Sequence, residues 1–454
     1  MAIVDLDAQP HRLDRGAIFA IMLGVIIVTL DISLTSTAIP AIASGLGVSP
    51  ASTIWIINTY YLAVVSALLP LAALGEIFGH RKVFMLGLVV FAAGSVLAGT
   101  SGSLAGLTAA RGLVGLGAAA VSATTPALIK CVYPPNKLGR GLGLYAMVVG
   151  VAFTAGPTTT SAVLSVADWP WLFFLNVPVA LVALLMATMG LPDTERNVRR
   201  FDKVAASICA LMFAALLTVI SNAGHLRWSV ALTALGLTVV LAYFLRKREA
   251  GVTAPVLALD LFRIRIFALS SITAICSFAV QGLVFVALPM LFMFKLGYSQ
   301  VEAGLLITPW PATLALMTLV AAPLSERIAP GMLGGIGMLI VSIGLGLIST
   351  MPESAGIFDI AWRLILCGIG FGLFQSPNMV ALMSSAPRER SGSAGGILAT
   401  SRLLGQSIGA AAVAFCLSIR PVDGIETALW LGALAGLFAG GVSFSRLTRF
   451  ARRA

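Results

Sequence analysis

The chain has 454 residues, of which 59% are hydrophobic and only 10% are charged, and its formal net charge is +11. A soluble domain carries about 25% charged residues, and no soluble chain of this length can bury so much apolar surface. The composition therefore excludes an ordinary soluble protein and indicates a chain whose main solvent is lipid.

Fourteen apolar runs are long enough to cross a bilayer, which takes about 17 to 25 residues each. The polar start of the chain leads into a run that is too long for a signal-peptide core, so we expect the first span to be retained. The predicted spans are 17–41, 52–74, 83–100, 104–130, 140–166, 169–191, 204–223, 228–246, 267–294, 302–325, 331–351, 357–386, 392–418 and 425–447.

Basic residues are concentrated in alternate loops and in both terminal segments, whereas the opposite loops hold only Arg227, Lys295 and Arg420. Because basic loops stay on the cytoplasmic side, this bias predicts that both termini are cytoplasmic and that the number of spans is even. The positive charge is thus a topology signal, and we expect no nucleic-acid partner.

An internal repeat divides the chain. LGVSPAST at 46–53 resembles LGYSQVEA at 296–303, and LGEIFG at 74–79 resembles LSERIA at 324–329, so spans 1 to 6 match spans 9 to 14. Repeats of this kind build one large transporter fold, with the substrate site between them. The prediction is a six-helix bundle at 1–192, a linker with two inserted helices at 193–266, and a second six-helix bundle at 267–454.

Five motifs follow in chain order: LDISLTSTAIP (30–40), LGEIFGHRK (74–82), LTAARGLVGLGAA (107–119), GLYAMVVGVAFTAGP (143–157) and WPWLFFLNVP (169–178). With the repeat, they resemble the fourteen-span drug:proton antiporter branch of the major facilitator superfamily. The resemblance implies an all-α membrane protein with that fold, which exports small molecules in exchange for protons. The sequence departs from the usual motifs at Ala72, Glu76, Thr160 and Ser161.

Asp31 lies about fourteen residues into the first span, roughly 20 Å deep at 1.5 Å per residue. A carboxylate inside the membrane is costly and is by default a functional hypothesis. Desolvation favours its neutral form, as a reversible proton carrier requires. The alternative is that Asp31 only pairs with a buried arginine to lock helices together. Its repeat counterpart is Gln281.

Arg111 on span 4 lies at a comparable depth and is the predicted partner of Asp31 in proton coupling, because an arginine stabilises the ionised carboxylate. The alternative is a helix clamp through backbone carbonyls. Arg363 follows Asp359 by one turn, which predicts an internal ion pair. Arg402 on span 13 has no acid nearby in sequence and points either to the cavity or to a loop.

Two motifs predict conformational roles. The small residues of span 5 let it approach a neighbouring helix and bend at its proline, and the resemblance implies that this helix seals the interface between the bundles. A carboxylate in the loop after span 2 is expected to latch onto the end of a neighbouring helix, although the basic residues there fit a purely topogenic role equally well. The residues concerned are Gly143, Gly156 and Pro157 on span 5, and Glu76, Gly79, Arg81 and Lys82 in the loop.

Polar and aromatic residues within the spans are the candidate substrate contacts, with ordinary interhelical packing as the alternative for each. Aromatic walls with few fixed charges suit varied flat ligands. The candidates are Asn58, Tyr60, Tyr61, Gln281, Phe285, Thr308, Trp310, Phe374, Gln375 and Asn378.

The sequence predicts a monomeric exporter of the bacterial inner membrane whose partners are small molecules, protons and lipid. The proton gradient drives it, with no cofactor and no metal; the five scattered cysteines are expected to be apolar fillers. A proton symporter or uniporter of a metabolite is the alternative within transporters. A receptor or enzyme would need a soluble domain or a catalytic cluster, and we expect neither.

Overall fold

The computed structural model describes residues 15–48, 50–134, 137–194, 202–221, 228–249, 258–298, 300–325, 327–352, 354–387, 390–420 and 423–447. Within these ranges every regular element is helical. The α-helices are α1 Arg15–Leu46, α2 Pro50–Phe78, α3 His80–Gly99, α4 Leu104–Val132, α5 Leu138–Leu164, α6 Trp171–Phe174, α7 Asn176–Gly190, α8 Lys203–Ser221, α9 Trp228–Glu249, α10 Arg265–Met290, α11 Gln300–Ile307, α12 Pro309–Leu324, α13 Pro330–Ser349, α14 Ile357–Ser385, α15 Ser391–Ile419 and α16 Gly424–Phe444.

Every predicted span coincides with one of these helices or with a consecutive pair of them. Eleven helical stretches in the described ranges are long and apolar enough to cross a membrane, and the described side chains of α5 and α8 form shorter apolar stretches. The chain is therefore a multi-pass, all-helical membrane protein. The count of fourteen spans and the cytoplasmic termini stay predictions.

One predicted span is interrupted where it carries prolines. Span 10 divides into α11 and α12 at Thr308, whose backbone N–H bonds to the carbonyl of Leu305 at 3.1 Å, three residues back. Pro309 follows at once and cannot donate a backbone hydrogen bond, and its ring disfavours a helical residue before it. The break is a local consequence of the sequence.

The helices pack as two groups, α1–α7 and α10–α16, which we call the amino-terminal and carboxyl-terminal bundles. Their interiors use glycines at matching places in the repeat. A Cβ on Gly117 of α4 would lie 2.5 Å from the backbone nitrogen of Phe91, and a Cβ on Gly370 of α14 would lie 2.5 Å from the carbonyl of Gly337. Small residues let membrane helices approach to backbone contact. The domain boundaries given above stay predictions.

The inserted helices α8 and α9 pack against each other, and α8 also contacts α2 and α15, one helix from each bundle. Asp202 accepts hydrogen bonds from the backbone N–H groups of Val204 and Ala205 at the start of α8, and its carboxylate pairs with Arg248 at 2.7 Å. The hydrogen bonds from Arg248 lower the pKa of Asp202. The pair ties the end of α9 to the start of α8.

The bundles are joined at the end of the molecule that holds the turn between α2 and α3, which we call the latch end. Glu76 of α2 accepts hydrogen bonds from the backbone N–H and the hydroxyl of Ser393, both at 2.7 Å. Ser393 lies in the first turn of α15, where backbone N–H groups lack helical partners and the helix dipole favours a negative charge. Arg390 lies 3.5 Å from Glu76 and 2.9 Å from Asp260. The predicted carboxylate contact with a neighbouring helix end is present.

A second contact at the latch end involves Lys130, near the end of α4. Its ammonium group donates to the carbonyls of Met383 and Ala386, each at 3.0 Å, at the end of α14. A cation is favoured at a helix carboxyl terminus for the same electrostatic reason that an anion is favoured at an amino terminus. Both contacts cross between the bundles, so the latch end is closed in this conformation.

We expect Glu76→Gln to open the latch end, because an amide loses the charge that α15 and Arg390 stabilise. Hydrogen bonds to a charged group contribute about 1.5 to 3 kcal/mol, which corresponds to roughly a tenfold or larger shift in population. The measurement is the distance distribution between spin labels on the exposed positions Lys82 and Arg327, in a cysteine-free background, by double electron–electron resonance.

Asp193→Asn is the matched control for this prediction. Asp193 is an exposed acid near the same end, and it pairs with Arg81 at 3.3 Å within the amino-terminal bundle. We expect Asp193→Asn to leave the distance distribution between the spin labels unchanged. An unchanged distribution in Glu76→Gln, or an equal change in both variants, would contradict the latch.

Candidate functional site

The centre of the amino-terminal bundle holds an ion pair. Nη1 of Arg111 on α4 lies 2.7 Å from Oδ2 of Asp31 on α1, and both side chains are 1% exposed. The other carboxylate oxygen, Oδ1, accepts a hydrogen bond of 2.8 Å from the side-chain amide of Asn176, the first residue of α7. Three helices therefore converge on one carboxylate.

The guanidinium of Arg111 is also enclosed by aromatic rings. It lies 4.5 Å from the ring centre of Tyr60 on α2 and 5.7 Å from that of Phe173 on α6. Such cation–π contacts favour a charge removed from water. The Nε of Arg111 and the hydroxyl of Tyr60 have no hydrogen-bond partner within the described part of the chain. The ion pair is thus held between an amide on one side and an aromatic ring on the other.

Asp31 lies near the middle of α1. Asp31 comes sixteen residues after the start of α1, which corresponds to roughly 24 Å of helix. Removing one member of a buried ion pair leaves the other uncompensated, which costs about 3 to 5 kcal/mol. The predicted partnership of Asp31 and Arg111 is therefore present as a contact. Its role in proton coupling stays a prediction.

The corresponding place in the carboxyl-terminal bundle is neutral. Gln281, the repeat counterpart of Asp31, accepts a hydrogen bond of 3.0 Å from Gln406 of α15. Arg363 instead pairs with Asp359 on its own helix at 3.1 Å, and this pair is partly exposed, at 12% and 34%. The internal pair predicted for Arg363 is present, so the two arginines of the repeat have different partners.

A cavity of about 680 Å³, including open solvent, lies between the two bundles. Helices α1, α2 and α5 line it from one bundle, and α10, α12, α14 and α15 from the other. The lining residues are Val28, Thr29, Ile32, Tyr61, Ala146, Val149, Gly150, Phe153, Phe278, Gln281, Phe285, Leu314, Gln375, Arg402, Leu403 and Gln406.

Four of the ten predicted substrate contacts line this cavity: Tyr61, Gln281, Phe285 and Gln375. Tyr60 does not, because it precedes Tyr61 by one residue and adjacent helical residues point about 100° apart. Its ring faces Arg111 instead. Tyr60 is therefore part of the ion-pair site in this conformation.

The other five are not among the residues that line the cavity. Trp310 and Phe374 are 0% and 1% exposed and pack on Phe371 inside the carboxyl-terminal bundle. Asn58 and Thr308 are half-buried and are not among the lining residues.

Asn378 has a structural environment at the end of the bundle. Its amide donates to the carbonyl of Ser270 at 3.1 Å, and its oxygen accepts from Arg446 at 2.8 Å. The network links α10 and α14 to the residues that follow α16. Both polar atoms of the Asn378 amide therefore have protein partners and are not free to contact a substrate in this conformation.

The small residues of α5 serve two contacts. A Cβ on Gly156 would lie 2.0 Å from the hydroxyl oxygen of Ser33, so only glycine permits this approach of α5 to α1. Thr160, at a position where the antiporter motif has glycine, donates to the carbonyl of Leu34 at 3.3 Å. On another side, Gly150 packs near Leu314 of α12 in the opposite bundle. The predicted close approach is present.

The remaining residues predicted to be conformational differ in their contacts. Gly79 has φ 97°, a left-handed conformation that favours glycine, and it forms the turn between α2 and α3. Arg81 contacts Asp193 within its own bundle, and Lys82 is exposed. Gly143 is buried within α5. The side chain of Pro157 lies outside the described part of the structure.

Asn176 and Gln406 were not among the predicted site residues. Asn176 is the one amide in an otherwise apolar span, and Gln406 follows Arg402 by one helical turn. A polar side chain inside a span is a signal in itself, because it must find a partner within the protein.

Arg402 lines the cavity and donates to the hydroxyl of Tyr145 at 3.0 Å. The sequence left open whether Arg402 points to the cavity or to a loop, and in the structure it points to the cavity.

Comparison with known sequences assigns the chain to a family. The sequence profile of the Major Facilitator Superfamily matches residues 21–410. The uncharacterized transporter YebQ of Escherichia coli (strain K12) is 42% identical over 457 residues, covering 100% of both chains. The Tetracenomycin C resistance and export protein of Streptomyces glaucescens is 31% identical over 417 residues, covering 89% of this chain and 76% of that protein.

The fold agrees with the sequence comparison. A solved structure of the proton:xylose symporter XylE superimposes with a TM-score of 0.65 and 14% identity, covering 94% of each chain. At this identity the similarity shows the fold alone. The chain belongs to the Major Facilitator Superfamily and is a membrane transporter, not an enzyme.

Proposed function

We propose that this chain exports small amphipathic molecules in exchange for protons, by alternating access, as a member of the fourteen-span drug:proton antiporter branch. The observation that carries the proposal is the buried pair of Asp31 and Arg111 beside a cavity between the two bundles. Asp31 does not line this cavity, but the next residue of α1, Ile32, does. The 31% identity to a resistance and export protein supports export. Symport or uniport of a metabolite is the alternative that the transport direction distinguishes.

The proposed orientation follows from the basic loops. Both termini and the latch end face the cytoplasm, and the transporter works as a monomer in a bacterial inner membrane, with no cofactor beyond the proton gradient. The conformation described here is then closed to the cytoplasm. Release of Ser393 by Glu76 would let the bundles rock and open the cavity to the cytoplasm.

The proposed coupling step is a proton transfer at Asp31. When the carboxylate binds a proton, it becomes neutral and no longer attracts Arg111 as an ion. The arginine then depends on the ring of Tyr60, and the contacts among α1, α4 and α7 weaken together. The two protonation states of Asp31 thus favour different packings of the amino-terminal bundle, which gives the proton a way to bias the rocking equilibrium.

The first test of coupling is Asp31→Asn. The amide keeps the size of the side chain and can still accept a hydrogen bond from Arg111, so we expect a folded protein that is less stable because the charge of Arg111 is no longer compensated. Because the amide cannot titrate, substrate-induced proton movement should be lost. The measurement is pH change in proteoliposomes, using a compound identified by dye and antibiotic efflux assays in a pump-deficient host. Full proton coupling in the variant would remove Asp31 from the mechanism.

The second test compares Arg111→Lys with Arg363→Lys. Lysine keeps the charge but loses the planar group that lies on Tyr60 and reaches Asp31. We expect Arg111→Lys to reduce transport by about tenfold or more, since a buried charged hydrogen bond contributes about 1.5 to 3 kcal/mol. Arg363→Lys is the matched control on the repeat-related helix and should change transport little. Equal losses in both would argue against separate roles.

The third test concerns charge movement. Among the described residues, every acid other than Asp31 lies near a helix end or in a loop, so one proton per cycle is expected. Export of a monovalent cation against one proton then moves no net charge, and export of a neutral compound moves one charge inward, worth about 2.3 kcal/mol per 100 mV.

Uptake into proteoliposomes, with the pH gradient and a potassium–valinomycin potential set independently, measures this directly. A neutral compound should respond to both driving forces, and a monovalent cation to the pH gradient alone. Strong voltage dependence of cation transport would require a second proton-carrying group and would contradict the single-acid mechanism.

A further inference from the structure

The charge of the cavity is positive. Among the residues that line it, Arg402 is the one ionised side chain, and none is Asp or Glu. Its guanidinium donates to the hydroxyl of Tyr145 at 3.0 Å, which is a neutral partner. Within the described part of the chain, no carboxylate lies within ion-pair distance of Arg402.

The carboxylate of Asp31 does not compensate the charge of Arg402. Asp31 is 1% exposed and faces Arg111 and Asn176, and it is absent from the cavity lining. Its neighbour Ile32 lines the cavity instead, so α1 turns an apolar face to the ligand space and its carboxylate to the bundle interior. A cationic ligand in the cavity would therefore meet Arg402 without meeting an anion.

A buried amide oxygen in the cavity also bears on the ligand. Gln375 is only 4% exposed, and its side-chain oxygen has no hydrogen-bond partner in the described residues. A buried polar atom without a partner is costly, so it favours a ligand that supplies a donor. Part of the cavity lining is aromatic: the rings of Phe153 and Phe285 are 5.1 Å apart and come from different bundles. Planar groups pack well against such rings.

We propose that the transported ligand is an amphipathic organic anion, with a planar aromatic body and a carboxylate, sulfonate or phenolate that binds Arg402. The proposal rests on the transport function proposed above and names its substrate class. The aromatic body lies against Phe153 and Phe285, and a hydroxyl or amine of the ligand donates to Gln375. An arginine fork recognises planar oxyanions bidentately, which lysine cannot do.

The test is equilibrium binding of two dyes with related xanthene cores and opposite charge. Fluorescein carries anionic oxygens, and tetramethylrhodamine methyl ester is a cation. Fluorescence anisotropy with the full chain in lipid nanodiscs, without any gradient, gives both affinities. We expect fluorescein to bind at least about tenfold more tightly, as one charge-assisted hydrogen-bond pair implies.

Substitutions assign the preference to one residue. Arg402→Gln should weaken fluorescein binding by about tenfold or more and leave the cationic dye unaffected or tighter. Arg402→Lys should keep part of the anion preference, because it keeps the charge. Arg363→Gln is the matched control, an arginine of the same bundle outside the cavity, and should leave both affinities unchanged. Three results would overturn the proposal: wild-type protein that binds the cationic dye more tightly than fluorescein, equal losses of affinity for both dyes in Arg402→Gln, or no saturable fluorescein binding to the wild-type protein.

The outcome is separable from the transport mechanism. If the anion preference holds but the wild-type protein moves no protons with substrate, antiport fails and the ligand class stands. If proton-coupled export occurs only with cations, the ligand class fails and antiport stands.

Discussion

A charge buried between packed helices in lipid, away from any water-filled cavity, needs a compensating charge or dipole within the protein, because neither water nor lipid can reach it there. Asp31 and Arg111 meet this requirement for each other at 2.7 Å. The pair also fixes the register of α1 against α4, and the amide of Asn176 adds α7. Much of the arrangement of the amino-terminal bundle follows from this one contact, since any shift between these helices separates the charges.

The rest of the architecture brings helices close enough for such contacts to form. Gly156 against Ser33, and Gly370 against Gly337, place helices at distances that a side chain would prevent. In lipid, apolar side chains gain little by contacting each other, so close packing and a few polar contacts determine the association of helices. The contacts of Glu76 and Lys130 with helix ends follow the same logic at the latch end.

The sequence was sufficient to predict the helices, from the lengths of the apolar runs, and the partner of Asp31, because Arg111 lies at a comparable depth within its own span. Side-chain direction was less accessible. Tyr60 and Tyr61 are equivalent as sequence signals, but only Tyr61 lines the cavity, and a single sequence does not reveal which face of α2 turns inward. In the sequence, Asn378 is a candidate ligand contact because no partner for its amide is evident nearby. Its partner in the structure is Arg446, which is distant in sequence and belongs to the basic terminal segment used there only to infer topology.

The two halves of the repeat have diverged in what they contribute. The cavity's ionised and amide side chains, Arg402, Gln281, Gln375 and Gln406, all belong to the carboxyl-terminal bundle, while the buried ion pair belongs entirely to the amino-terminal one. Substitutions that alter ligand contacts therefore need not disturb Asp31 or its partners. Evolution can change the cargo of such a protein while its energy source is preserved, and recombination between halves of related transporters would exchange one property without the other.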